Sequence, residues 1–279
     1  MDMLEILRAT APTPEGRTPL PELMSLAGRT ALVTGGGGPG LGQSIVRRLA
    51  AMGASVAVVD LDGAAAAEVA ADVQARYGVK TFSVAADVTR AEEAFRIVAE
   101  AEELLGSVDI LVNNVGGGGV GDFLTQSPED IARIVDRNLF ATLYMIRAVS
   151  EVMIAQGKGV IVNVSSQGAN VTWTKADVYC ACKAAVSMLT KTLAWQLSEH
   201  GVRVTGVAPG TISSARAISI LEDSDNQADY ASGLTNTVVR TALGRTCSPD
   251  EVSDVVAFLA SDAASYVQGT VWEVAGGMA

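Results

Sequence analysis

Histidine and cysteine are scarce in this sequence. A single histidine, His200, cannot build a metal cluster, and its place near the end of a helical stretch suits the helix dipole. Cys180, Cys182 and Cys247 are odd in number and lack a C-x-x-C spacing. They read neither as a disulfide framework nor as a zinc site, so no metal is expected. Excess positive charge is lacking too: Lys and Arg number 20 against 31 Asp and Glu, a net charge of −11. A nucleic-acid binder needs a basic footprint to displace counterions from phosphates, and no Lys/Arg run is present. The same deficit argues against an anionic membrane surface. No long uncharged apolar run reads as a bilayer span. The start, Met1-Asp2-Met3-Leu4-Glu5, has acids where a secretory signal has basic residues. The expectation is a soluble protein of a reducing, cytoplasmic setting, with neither nucleic acid nor membrane as partner.

What is abundant is apolar residues, 49% of the 279, and glycine, at 28. That is enough for a sizeable core. Residues 1–26 read as an N-terminal extension, because 11–19 hold three prolines and no periodicity. From there to 279 one domain is expected. Short β-branched runs at 30–33, 55–59, 81–85, 110–112, 160–164, 202–207 and 270–274 read as strands. Between them, 43–51, 64–77, 91–105, 128–155, 178–200 and 249–261 read as helices. Apolar strands bounded by glycine and each followed by a helix imply β-α-β units, hence a parallel sheet covered on both faces. The expected fold is α/β, a single doubly wound Rossmann-type domain with helices on both faces. The longest irregular stretch, 212–248, is of the kind that usually carries function.

Two local features point to a dinucleotide. Thr34-Gly35-Gly36-Gly37-Gly38-Pro39-Gly40-Leu41-Gly42 joins the first strand to the first helix. Glycines there let the backbone turn tightly and approach a pyrophosphate at the helix N-terminus. A glycine string alone is also just a flexible turn; its position after a strand and before a helix gives it weight. Asp60 then ends the second strand, about 20 residues after Gly40, where an acid accepts hydrogen bonds from the adenosine ribose hydroxyls. A carboxylate there repels a 2′-phosphate, and no Arg or Lys lies in the glycine loop or at 61–63. NAD is therefore favoured over NADP. Asp60 as a plain strand-end turn residue is the competing reading.

With these residues in place, the chain from Gly28 to Gly277 resembles the short-chain dehydrogenase/reductase family. The motifs match in order. Thr34 to Gly42 is similar to the cofactor loop, and Asp87-Val88 to the adenine-contacting pair. Asn113-Asn114-Val115-Gly116 stands where the family usually has Asn-Asn-Ala-Gly. Asn138 stands at the catalytic asparagine; Ser166, Tyr179 and Lys183 stand at the serine and the Tyr-x-x-x-Lys pair. Pro209-Gly210, Phe258-Leu259-Ala260-Ser261 and Gly276-Gly277 complete the pattern. The resemblance implies a cofactor site from Gly35, Gly40, Leu41, Gly42, Asp60, Leu61, Asp87, Val88, Asn114, Gly116, Tyr179, Lys183, Pro209, Gly210, Ile212 and Ser214. It also implies a homotetramer built through the two long helices and the last strand. Two departures stand out. The cofactor loop is one residue longer than the family's Thr-Gly-x-x-x-Gly-x-Gly, and Ser214 replaces a common threonine.

The implied chemistry is interconversion of an alcohol and a carbonyl. The group that handles the proton must change protonation state near neutral pH. Moving a tyrosine from about 10 to about 7 needs roughly 4 kcal/mol of differential stabilisation of the phenolate. Lys183, four residues after Tyr179 on a helix, shares its face and can supply part of that. Alone, such a pair is commonly just packing. Ser166 has a hydroxyl for the substrate oxygen, and the resemblance gives Asn138 a part in holding a proton-relaying water. Cys180 and Cys182 read as small packing residues.

The substrate pocket is expected from 117–123, 167–177 and 212–248. Ser166, Gln167, Trp173 and Tyr179 are the substrate-binding candidates. Glu222, Asp223, Asp225 and Asp229 make the third segment acidic, which weakly disfavours an anionic acyl-carrier or phosphorylated substrate; a solvated acidic face is the competing and favoured reading. The best reading is an NAD-dependent oxidoreductase acting on a neutral or hydrophobic secondary alcohol or ketone. Two alternatives stay open: an NADPH-dependent 3-oxoacyl reductase, and an NAD-binding redox sensor without catalysis.

Overall fold

The structure is a computed structural model that describes residues 3, 18–119, 121–214, 218, 235 and 238–277. Most of the N-terminal extension and the acidic residues Glu222, Asp223, Asp225 and Asp229 lie outside the described residues. After a helical turn at Leu20–Leu23 the chain alternates strands and helices: β1 (Thr30–Thr34), α1 (Leu41–Ala51), β2 (Ser55–Asp60), α2 (Gly63–Tyr77), β3 (Thr81–Ala85) and α3 (Ala91–Leu105). β4 (Ile110–Asn113), α4 (Pro128–Val135), a π-helical turn (Asp136–Phe140), α5 (Ala141–Gln156) and β5 (Gly159–Val164) follow. The last elements are α6 (Asp177–Ser198), β6 (Val202–Pro209), α7 (Pro249–Ala260) and β7 (Val271–Val274).

The seven strands form one parallel sheet in the order β3-β2-β1-β4-β5-β6-β7. The sequence expectation of a doubly wound sheet holds. Alternate residues of each central strand feed opposite layers. Ala31, Val33, Ile110 and Val112 pack with α1, α2 and α7 through Ile45, Val69 and Val256. Leu32 and Leu111 pack on the other face with Ile97 of α3 and with Met145 and Val149 of α5. This two-sided burial is why the strands read as unbroken apolar runs.

Helix ends follow their local chemistry. Asp62 caps α2 by accepting from Ala64 N and Ala65 N, and Gly78 closes it at φ 69°. Ser248 and Glu251 form a capping box at the start of α7, with Pro249 as its first residue. The stretch read as one helix at 128–155 carries the π turn at its middle. Together, 128–156 is long and apolar enough to cross a membrane by length and composition. Here Met145, Ile146, Val149 and Met153 are instead buried against the sheet.

The strand order reverses between β1 and β4. A crevice opens at that switch point, beyond the carboxyl ends of the strands, and in such sheets ligands bind there. Thr34-Gly35 and Asn113-Asn114 leave the sheet side by side at this place.

Candidate active site

The glycine loop is built around two close approaches. A Cβ on Gly42 would lie 1.9 Å from Gly35 O, and one on Gly37 would lie 2.6 Å from Ala66 N of α2. Neither position accepts a side chain. A Cβ built on Gly38, by contrast, meets nothing within 4 Å. Gly40 enters α1 with φ 151° and no side-chain cap, and the first turn of α1, beginning at Leu41, has no acid. Its N–H groups therefore face the crevice with the positive end of the helix dipole. Asn114 locks the loop from β4: its Nδ2 donates to Thr34 O at 3.0 Å and Gly35 O at 3.1 Å. Ser214, more than 170 residues later in sequence, reaches the same loop, 3.8 Å from a Cβ built on Gly40. Pro209 ends β6, and Gly210 packs against Ala275, where a Cβ would lie 3.0 Å from Cα. Ile212 bridges to Cys247 and fixes the base of the long segment that follows.

Asp60, Leu61, Asp87 and Val88 line one groove of about 460 Å³ with Gly35 and Val115. Asp60 Oδ2 accepts from Gly37 N at 3.0 Å, and Oδ1 from Asp62 N at 3.2 Å. Asp87 Oδ1 accepts from Thr89 N and Thr89 Oγ1, which turns the chain sharply after β3. The far wall of the groove includes Arg133 and Arg137, which the sequence reading missed. They lie more than 70 residues from Asp60, and no spacing rule links them. Arg133 is ion-paired with Asp130.

At the other end of the crevice, Ser166, Tyr179, Lys183 and Asn138 converge. Ser166 is buried at the end of β5, and its Oγ accepts from Gly168 N at 3.1 Å. Tyr179 stands one turn before Lys183 on α6, and the Lys183 Nζ lies 6.0 Å from the centre of its ring. Lys183 is buried and donates to Val164 O at 2.9 Å. Burial lowers its pKa to about 8. Burial also pushes the Tyr179 phenol above its usual value, and its hydrogen bond with Ser166 works in the opposite direction. The sequence argument looked to the ammonium to bring the phenol down. In the chain alone, desolvation is the larger effect.

Asn138 sits in the π turn, fully buried. Its Nδ2 donates to Ile134 O at 2.9 Å, and its Oδ1 accepts from Gly117 N at 2.8 Å. Gly116 is the meeting point. A Cβ there would lie 2.7 Å from Lys183 Nζ and 3.0 Å from Asn138 Oδ1. A side chain at 116 would push on both the lysine and the asparagine.

Of the segments expected to form the substrate pocket, the described parts of 117–123 and 167–177 flank this centre, while most of 212–248 lies outside the described residues. Gly117, Gly118 and Gly119 all have positive φ, at 94°, 74° and 89°, a run only glycine adopts readily. Gly121 N donates to Lys175 O at 2.7 Å, which ties this segment to 167–177. Trp173 stacks on Tyr179 with ring centres 6.2 Å apart and planes at 11°. Gln167 is buried in the short helical turn Gln167–Ala169. Cys180 packs on Gly168, and burial raises the Cys180 and Cys182 thiols, as suits packing residues.

A dinucleotide fits these residues. The uncapped N-terminus of α1, the side-chain-free approach at Gly42 and the groove at Asp60 and Asp87 supply donors, space and acceptors along one line. Among the described residues no cluster suits a metal ion.

Comparison with known proteins agrees. Residues 37–279 match the family model described as enoyl-(acyl carrier protein) reductase. The chain is 33% identical to 7alpha-hydroxysteroid dehydrogenase of Escherichia coli (strain K12) over 254 residues, 91% of this chain and 95% of that protein. It is 37% identical to the oxidoreductase UcpA of Salmonella typhimurium over 253 residues, 90% and 95% of the two chains. A solved 7 alpha-hydroxysteroid dehydrogenase, complexed with NADH and 7-oxo glycochenodeoxycholic acid, superposes with a TM-score of 0.85 at 32% identity, covering 94% of this chain and 98% of the other. The parallel sheet, the glycine loop at its switch point and these relatives together place the chain in the short-chain dehydrogenase/reductase family, as an NAD(P)-dependent oxidoreductase acting on hydroxyl or keto groups.

Proposed function

We propose that this protein interconverts a secondary alcohol and a ketone with NAD, using Tyr179 as the acid/base. The observation that carries the reading is the cluster itself. The Ser166 hydroxyl favours the phenolate of Tyr179 against the effect of burial, and the buried Lys183 Nζ lies 6.0 Å from the centre of the same ring. The bound cofactor supplies or takes up the hydride. The chain's own residues handle the oxygen and its proton. Ser166 Oγ holds the substrate oxygen, and Tyr179 Oη gives or receives the proton on it. Lys183, placed by Gly116, raises the positive potential at the phenol when charged and so favours phenolate. Asn138, in the π turn, holds Gly117 N and so fixes the chain beside Gly116 and the lysine. Trp173 offers a flat apolar surface beside the reacting oxygen, which suits a hydrophobic substrate. Relatives named for a hydroxysteroid and for sorbitol differ widely in polarity, so they support the reacting group rather than one substrate.

NAD is preferred because the Asp60 carboxylate meets the ribose and repels a 2′-phosphate. A second reading, NADPH-dependent reduction of a 3-oxoacyl group, draws on Arg133 and Arg137 in the same groove. The intact Tyr179–Lys183 pair favours either enzyme over a non-catalytic sensor. Titrating NAD and NADP against wild type and Asp60→Ala decides between the cofactors. Wild type should bind NAD more tightly, and the variant should move the ratio by about two orders of magnitude. A wild type that prefers NADP would overturn the NAD assignment.

A further inference from the structure

The lengthened glycine loop is tied to the end of β2 at two points. Gly36 N donates to Val59 O at 3.1 Å, and Gly37 N donates to Asp60 Oδ2 at 3.0 Å. At the second tie Gly37 is pressed onto the backbone of α2, with a built Cβ only 2.6 Å from Ala66 N and 2.9 Å from Ala65 C. The second tie is made by a side chain, that of the half-buried Asp60. Its other oxygen accepts from Asp62 N, so the carboxylate cannot swing freely away from the loop. A carboxylate has about four acceptor positions. Two are taken by these N–H groups, and the rest remain for ribose hydroxyls.

We infer that Asp60 is a positioning residue as well as a selector: its carboxylate latches the long glycine loop through Gly37 N and thereby presets the pyrophosphate-facing N–H groups at the start of α1. A Cβ built on Gly38 meets nothing within 4 Å, so no packing contact holds the loop on that side and the hydrogen bonds at Gly36 and Gly37 are what fix it. The inference rests on the reading of this groove as the adenosine site. It makes a different statement from cofactor preference, because the latch acts on any ligand bearing the pyrophosphate.

The test uses an NAD analogue whose adenosine ribose lacks both hydroxyls. This probe cannot bond to Asp60, so a residue that served only the ribose would not affect its binding. The latch predicts that Asp60→Ala weakens the analogue roughly tenfold, while Asp60→Asn, which keeps an oxygen for Gly37 N, stays within about threefold of wild type. Equal binding by all three proteins overturns the inference, and so does an Asn variant as weak as the Ala variant. If Asp60→Ala lowers Tm so far that its binding cannot be read, hydrogen exchange at Gly37 N in the cofactor-free wild type decides. Protection supports the latch, and exchange at the rate of an open chain overturns it. A wild type that prefers NADP would defeat the cofactor assignment and leave this result untouched, since the analogue carries no group that senses it.

Discussion

Lys183 carries its ammonium into the interior with Val164 O accepting at 2.9 Å, and burial lowers its pKa from 10.5 to about 8. That shift is also a stability statement. Below about pH 8 both folded and unfolded chains hold the proton, and the full burial cost is present. Between about 8 and 10.5 the folded chain releases the proton first, so stability rises with pH across that window. The cost amounts to about 3 kcal/mol. Lys183→Met removes it and loses one hydrogen bond. The cofactor-free variant should therefore melt a few degrees above wild type at pH 7. The gap should shrink as pH approaches 10. A difference in Tm that stays flat with pH, or a less stable variant, would contradict the assignment of a strained, functional lysine.

At the scale of elements, the π turn within 128–156 shows where sequence patterning stops. The apolar period of that stretch reads as one helix, and it nearly is. What interrupts it is Asn138, whose Nδ2 takes Ile134 O and whose Oδ1 holds Gly117 N. Asn138→Ala removes a buried bond to Ile134 O and a half-buried one from Gly117 N, a loss of about 1 kcal/mol each. Melting should fall by several degrees, and turnover should fall with it, while cofactor affinity changes less. Unchanged turnover would confine Asn138 to a structural part. The strands were legible to within two residues at each end, because burial on both faces imposes unbroken apolar runs. The glycine loop and Asp60 were legible because their chemistry is local in sequence. The groove's far wall was not. Arg133 and Arg137 reach it only through the crossover from β4 to α4, and nothing near them in sequence signals a groove. The Gly37–Asp60 hydrogen bond was likewise invisible, since the loop's extra residue fixes no geometry until α2 is packed beneath it.

For the whole molecule, α6 exposes Met188 and Trp195, the latter 86% accessible, while Trp272 of β7 is partly exposed at the sheet edge. Large apolar side chains in such positions mark association surfaces. Together with the family resemblance they lead us to propose a homotetramer. Light scattering at micromolar protein should give four times the mass of one 28.7 kDa chain. Trp195→Glu should lower it toward a dimer or monomer, and a monomeric wild type would refute the proposal.

The assembled account comes to one proton on one oxygen. Tyr179→Phe keeps the ring and its stack on Trp173 but removes the hydroxyl that gives or receives that proton. The decisive measurement screens secondary alcohols and ketones by the absorbance of the reduced nicotinamide. It then compares wild type and Tyr179→Phe on the best substrate, with NAD affinity measured alongside. Turnover should fall by about two to four orders of magnitude while NAD binding is kept. Turnover within threefold of wild type would show that another group moves the proton.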